Sequence, residues 1–254
     1  MLQLLTGFLI PFAGTSAGAA CVFFMRRQAG ARTGKALNGF AAGVMAASTV
    51  WSLLIPALEQ SGAMGRLRFL PSAAGFWVGV GFMLLLNKLV MRADARAAGD
   101  ASGSVQMMLA VVLHNIPEGM AVGVAYAGLR AGNAGVTAAS AFALALGIAI
   151  QNFPEGAIIS LPLRSRGVAR WKAFAGGVLS GAVEPVAALA AYASFSLCVP
   201  ALPYVLSFAA GAMIFVVVGE LIPEICADGE TETGTLCFCI GATLMMIADV
   251  AAGQ

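Results

Sequence analysis

His114-Asn115-Ile116-Pro117-Glu118-Gly119 and, 37 positions further on, Gln151-Asn152-Phe153-Pro154-Glu155-Gly156 lie in the middle of long apolar runs. The first run, residues 105–127, carries no charge from Val105 up to Glu118, and the second spans residues 134–163. A carboxylate at the centre of a membrane-spanning helix costs on the order of 2.5–3.5 kcal/mol on insertion scales. The chain accepts that cost twice in one six-residue frame. A polar accident would not repeat with its neighbours intact.

Positions i, i+3 and i+4 share a helix face. His114, Asn115 and Glu118 therefore project to one side, as do Gln151, Asn152 and Glu155. Each proline lacks a donor and frees the carbonyl one turn earlier, at Leu113 or Ile150. Such carbonyls at membrane depth are tolerated where they line a cavity or meet a partner. Imidazole or amide, carboxylate and a bare carbonyl pointing inward form a ligand set for a divalent cation such as zinc.

Working outward, the chain of 254 residues is 60% hydrophobic and 10% charged, against about 25% charge in a soluble domain. It reads as an all-α polytopic membrane protein. Eight transmembrane helices fit, near 3–25, 36–58, 71–91, 105–127, 134–162, 173–197, 203–225 and 234–253, each close to the ~20 residues a crossing needs. The connections are short, so residues 1–254 form a single transmembrane transport domain. The net charge of +2 gives no sign of nucleic-acid binding, because the basic residues sit in short loops. The five cysteines, Cys21, Cys198, Cys226, Cys237 and Cys239, read as small hydrophobes in or beside spans. The N-terminus lacks the basic start of a secretory signal, so the first span is taken as retained.

Basic residues cluster on one side. Loops after spans one, three and five hold Arg26, Arg27, Arg32, Lys35, Lys88, Arg92, Arg96, Arg164, Arg166, Arg170 and Lys172, and the opposite side holds Arg66, Arg68 and Arg130. By the positive-inside rule the richer side is cytoplasmic. The expected location is the cell inner membrane, multi-pass in lipid, with both termini extracytoplasmic.

Spans two and seven look related. Phe40-Ala41-Ala42-Gly43-Val44-Met45 matches Phe208-Ala209-Ala210-Gly211-Ala212-Met213, and Leu54-Ile55-Pro56 matches Leu221-Ile222-Pro223. The seventh span comes five after the second, an odd number, so the two cross in opposite directions. This suggests an inverted repeat of spans 1–3 and 6–8 around spans 4–5, a common transporter plan with a midplane site. Short Ala/Gly strings also recur by chance in membrane helices, so the longer shared pattern carries the reading.

Two further acids lie inside spans. Glu184, in Ser180-Gly181-Ala182-Val183-Glu184-Pro185, reads as a third carboxylate converging on the site, against a bland role as a packing partner for a buried hydroxyl. Glu220, in Gly219-Glu220-Leu221-Ile222-Pro223-Glu224, reads equally as a release-path group or a local structural one. Glu224 and Asp249 sit near span ends and are expected in solvent. Three glutamates in one small volume would repel without cations; two divalent ions would balance them. Glu118, one turn from both His114 and Asn115, is placed to bridge. The same crowding makes proton exchange on metal release chemically reasonable.

Taken together, HNIPEG, QNFPEG, SGAVEP and GELIPE resemble the ZIP family of divalent metal transporters, most closely its GufA-like prokaryotic branch. The resemblance implies transport of zinc and related ions (Cd, Fe, Mn, Co, Ni) toward the cytoplasm through a binuclear midplane site, the ion being substrate and not cofactor. It implies one metal on His114, Glu118 and Glu155, and a second on Asn115, Glu118, Asn152 and Glu184 with Gln151 close by. It also implies sliding of spans one, four, five and six against the others, and a homodimer. The chain departs from the family pattern in two places. Gln151 and Asn152 are neutral where many members carry histidine or aspartate, and the loop after span three has no histidine; His114 is the only one.

Two rival classes remain. An intramembrane metalloenzyme of the zinc-protease kind would want H-E-x-x-H, and no second histidine completes it. A structural membrane protein whose polar residues only glue helices would leave three buried glutamates without basic partners.

Overall fold

The computed structural model describes residues 2–24, 31–96, 102–132, 136–195, 201–227, 229 and 231–251. The His114 side chain lies outside the described residues, as do Cys198, Asp228, Glu230 and the side chains of Arg26, Arg27, Arg92 and Arg96. Among the described residues every regular element is helical. Helix α1 (Leu2–Ala19) continues into the short α2 (Cys21–Phe24). Next come α3 (Ala31–Ser48) and α4 (Ile55–Gln60), joined by a π-helical turn at Thr49–Leu54. Then follow α5 (Phe69–Arg96), α6 (Ser102–Arg130) and α7 (Ala138–Ser165). Helices α8 (Arg170–Gly181) and α9 (Val183–Phe195) run in succession, and α10 (Leu202–Val216) leads through a π turn at Val217–Leu221 into α11 (Ile222–Cys226). Helix α12 (Glu232–Ala251) is last.

Seven segments among the described residues are long and apolar enough to cross a membrane: Gln3–Phe24, Arg32–Gln60, Phe69–Leu89, Ala138–Arg164, Arg170–Ser194, Leu202–Cys226 and Glu232–Ala251. They coincide, within a few residues, with seven of the eight expected spans. The remaining one, 105–127, falls within α6, a helix of 29 residues.

Proline sets the breaks. Pro56 and Pro223 each stand second in a helix that follows a π turn. A proline has no N–H and its ring crowds the carbonyl four residues back. The chain responds in the same way twice: the Ile55 N–H reaches the Val50 carbonyl, and the Ile222 N–H reaches the Val217 carbonyl, each five residues back. In the first turn Ser48 and Thr49 also donate to the Val44 and Met45 carbonyls, at 2.9 and 2.8 Å, a local bond that favours bending. Pro185 interrupts the sixth segment at Ala182, whose N–H falls back on the Leu179 carbonyl.

The helices pair in two groups. In the first, α3 lies along α12 and α5 along α10; in the second, α1 lies along α7 and α6 along α9. The first group is stitched by a pattern that the sequence reading did not single out in full. Phe-x-x-Gly occurs at Phe40–Gly43, Phe76–Gly79, Phe208–Gly211 and Phe238–Gly241. A methyl on Gly43 would collide with the Phe238 carbonyl, and one on Gly241 with the Phe40 carbonyl. Likewise Gly79 lies under the Phe208 carbonyl and Gly211 under the Phe76 carbonyl. Backbone meets backbone, which only a missing side chain permits.

Asp249 corrects an expectation. It is fully buried and accepts a hydrogen bond from Ser52 Oγ at 2.7 Å. It falls on the same face of α12 as Gly241 and Met245, at i+4 spacing, and that face runs along α3 and the π turn that follows it, with Met245 also against Gly147 of α7. Glu224 is exposed, as expected, and Lys88 is exposed beside a half-buried Asn87.

Candidate metal centre

The second helix group carries the polar residues. Helix α6 brings Asn115 and Glu118, α7 brings Gln151, Asn152 and Glu155, and the α8–α9 segment brings Ser180 and Glu184. Both motif prolines, Pro117 and Pro154, are accommodated inside continuous helices. Each motif glycine lets its helix close on a neighbour: Gly119 lies under the Glu184 carbonyl and Gly156 under the Thr15 carbonyl. That close approach packs four helices tightly enough to bury the motif amides and glutamates, while Phe153 stays exposed.

Asn115, Gln151 and Asn152 are fully buried, with Glu118, and Glu184 and Glu155 are buried beside them. Gln151 Nε2 donates to Glu118 Oε1 at 2.6 Å. Asn115 Nδ2 donates to the Ser180 carbonyl at 3.0 Å, just before the break at Ala182. Thr15 Oγ1, from α1, donates to Glu184 Oε1 at 2.8 Å. The charges of Glu155 and Glu184 act on Glu118, and that of Glu155 on Glu184. Asn152 sits between Glu118 and Glu184, but neither of its amide atoms is within hydrogen-bonding geometry of a partner.

The groups acting on Glu118 and Glu184 include no lysine or arginine among the described residues. Asn115 Oδ1, Glu118 Oε2, Gln151 Oε1, Asn152 Oδ1 and Glu184 Oε2 are buried without hydrogen-bond partners. Each such atom costs about 1–3 kcal/mol. Five oxygens left open in one small volume form a donor set for a cation.

Among the described residues, no three His, Cys, Asp or Glu side chains are gathered closely enough to hold a metal by themselves. Carboxylates alternate with carboxamides instead, so any shell here mixes the two. His114 stands in α6 one turn before Glu118, its side chain outside the described residues. Glu220 is half-buried in the π turn between α10 and α11 and is not among the groups acting on Glu118 or Glu184.

Two contributors escaped the sequence reading. Thr15 is a lone hydroxyl in an apolar helix, and Ser180 contributes a main-chain carbonyl; nothing local marks either. Only the tertiary contacts single Thr15 out: a glycine of the PEG motif covers its carbonyl as another covers that of Glu184.

A helical polytopic protein with carboxylates and carboxamides gathered and buried inside its helices has the build of the transporter class. Residues 90–249 match the family model of the ZIP zinc transporter. The chain is 36% identical to the zinc transporter ZIP11 of Xenopus tropicalis, over 100% of this chain and 98% of that one. It is 36% identical to the zinc transporter ZIPB of Bordetella bronchiseptica, over 95% of this chain and 79% of the relative. Against the zinc transporter GufA of Myxococcus xanthus it is 32% identical, over 80% of this chain and 81% of the relative. The chain belongs to the ZIP zinc transporter family, a family of transporters and not of enzymes, and its relatives include bacterial members of the GufA kind.

Proposed function

We propose that this protein carries zinc and related divalent cations across the inner membrane toward the cytoplasm, through a two-ion site at mid-depth. The observation that carries the reading is the set of buried carboxylates and open oxygens contributed by α6, α7 and α9, with no lysine or arginine among the described residues acting on Glu118 or Glu184. One ion is held by His114, Glu118 and Glu155, the other by Asn115, Glu118, Asn152 and Glu184. Glu118 bridges, and Gln151 orients it by donating to Oε1. Thr15 orients Glu184 in the same manner.

The reading uses one transmembrane domain over residues 1–254, with α6 as the eighth crossing and both termini outside. Three parallels support an inverted repeat. The π turns before Ile55-Pro56 and Ile222-Pro223 match; the α3–α12 pairing mirrors α10–α5, and α1–α7 mirrors α6–α9. In this scheme the group α1, α6, α7 and α8–α9 moves with its ions against the group stitched by Phe-x-x-Gly.

The test is zinc flux into proteoliposomes. Glu118→Ala and His114→Ala abolish flux while the protein still inserts and purifies. Glu118→Ala also removes the thermal stabilisation that added zinc gives. Unchanged flux in both variants rejects the reading.

A further inference from the structure

We propose that the corner formed by the α7–α8 turn and the end of α2 binds one anionic phospholipid, its phosphate on Arg170 and Lys172 and its upper acyl region against the aromatic rings beside them.

The turn carries charge of one sign. Arg164, Arg166, Arg170 and Lys172 fall within nine residues, and no acid stands between Glu155 and Glu184. All four cations are exposed. Arg164 Nη1 donates to the Val168 carbonyl at 3.2 Å and closes the turn. Arg170 and Lys172 make no hydrogen bond or ion pair among the described residues. Both stand in the first turn of α8, which carries no acid and whose cap, Ala169, has no side-chain acceptor. Cations there oppose the helix dipole, which favours negative charge at that end. The fold alone gains nothing from this placement. A phosphate beside them offsets the repulsion and accepts from both donors.

Aromatic rings mark the depth. Trp171 is 68% exposed and Phe24 85%. Trp171 packs on Phe174 with ring centroids 5.4 Å apart, and Phe174 on Phe23 at 5.3 Å. The row joins α8 to α2 beside a small core that includes Val22 and Ala173. Tryptophan next to cations at the end of a membrane helix sits at headgroup level, and basic pockets between helices on the cytoplasmic side take anionic head groups. A soluble anion would use the cations and leave the rings idle; a phospholipid uses both.

The other helix group lacks such an opening on the same side. There Arg32 donates to Thr233 Oγ1 at 3.2 Å and Lys35 to the Ala227 carbonyl, so those cations are tied to their own chain. The open pair belongs to the group of α1, α6, α7 and α8–α9, which carries the acid cluster. A lipid on Arg170 and Lys172 therefore anchors that group to one leaflet. The positive-inside reading makes that leaflet cytoplasmic, but the binding depends neither on orientation nor on zinc.

The test uses the full-length protein in lipid nanodiscs with no metal added. Trp51→Phe with Trp77→Phe leaves Trp171 as the only tryptophan. At the same low mole fraction in phosphatidylcholine, brominated phosphatidylglycerol quenches Trp171 several-fold more than brominated phosphatidylcholine. One lysine or arginine near a membrane surface is worth about fivefold in attraction to anionic lipid, so Arg170→Gln with Lys172→Gln removes most of the excess. Arg170→Lys with Lys172→Arg keeps it. Arg66→Gln with Arg68→Gln, which takes the same charge from the opposite side, also keeps it. Equal quenching by the two lipids, an excess that outlasts Arg170→Gln with Lys172→Gln, or an equal loss in the Arg66 and Arg68 variant overturns the proposal. Should the tryptophan variant fail to fold, lipid retained on the protein with its tryptophans unchanged is counted by mass spectrometry. One phosphatidylglycerol per chain is retained, and Arg170→Gln with Lys172→Gln loses it. No retained lipid, or retention indifferent to those substitutions, overturns the proposal equally.

Discussion

The two helix groups use one packing device for opposite ends. In α3, α5, α10 and α12, each glycine of Phe-x-x-Gly lies under a phenylalanine carbonyl of its partner. In α6 and α7, each glycine of the Pro-Glu-Gly motif lies under the carbonyl of Glu184 or Thr15. Close backbone contact in the first group produces an apolar seam, in which Ala41, Ala42, Ala209, Ala210 and Met213 are buried. In the second it produces a buried compartment for carboxylates and amides. Glycine under carbonyl says only that two helices touch; the residues one turn away decide whether the contact is frame or site.

Substitution can break the comparison at its strongest point. Gly211→Val drives a branched side chain into the Phe76 carbonyl. Overpacking of this kind costs about 1–3 kcal/mol or more, so the melting temperature in detergent falls. Tight zinc stoichiometry of the protein that remains folded stays the same. A matching loss of zinc per folded chain would show that the two groups are one unit.

Thr15→Val sharpens it from the other side. It removes the hydroxyl that donates to Glu184 Oε1 and keeps the shape. A hydrogen bond to a charged group is worth about 1.5–3 kcal/mol, so zinc affinity at the second ion falls about tenfold or more, and the metal-free protein also loses some melting temperature because the buried Glu184 is left without its donor. A drop in metal-free stability with zinc affinity intact would make Thr15 a packing residue only.

Ser52→Ala is the mildest. It leaves the buried Asp249 carboxylate without its hydroxyl donor, at a cost of about 1–3 kcal/mol, so the melting temperature falls modestly. Rescue by Asp249→Asn in the Ser52→Ala background separates the buried charge from the lost contact. No fall in Ser52→Ala would show that Asp249 finds another partner.

Much of the candidate site was legible because lipid makes charge conspicuous. Glu118, Glu155 and Glu184 stand out in apolar runs, and their amide neighbours follow by helical spacing. Thr15 was not legible, since a threonine inside a membrane helix can satisfy itself on its own backbone and carries no local mark. Asp249 was misjudged because nearness to a span end says nothing about which face a neighbouring helix covers. The Phe-x-x-Gly pattern was seen in α3 and α10 as a repeat, but its halves in α5 and α12 gain meaning only from the pairing.

The sequence by itself determined that the chain is helical and membrane-bound, where its helices run within a few residues, and which acids stand inside them. Hydrophobic length and the expense of a charge in hydrocarbon are properties of single segments, readable one at a time. The tertiary structure alone decided who meets whom: Thr15 with Glu184, Ser52 with Asp249, and Phe23 with Phe174. These partners lie far apart along the chain and come together through backbone approaches that no periodicity encodes.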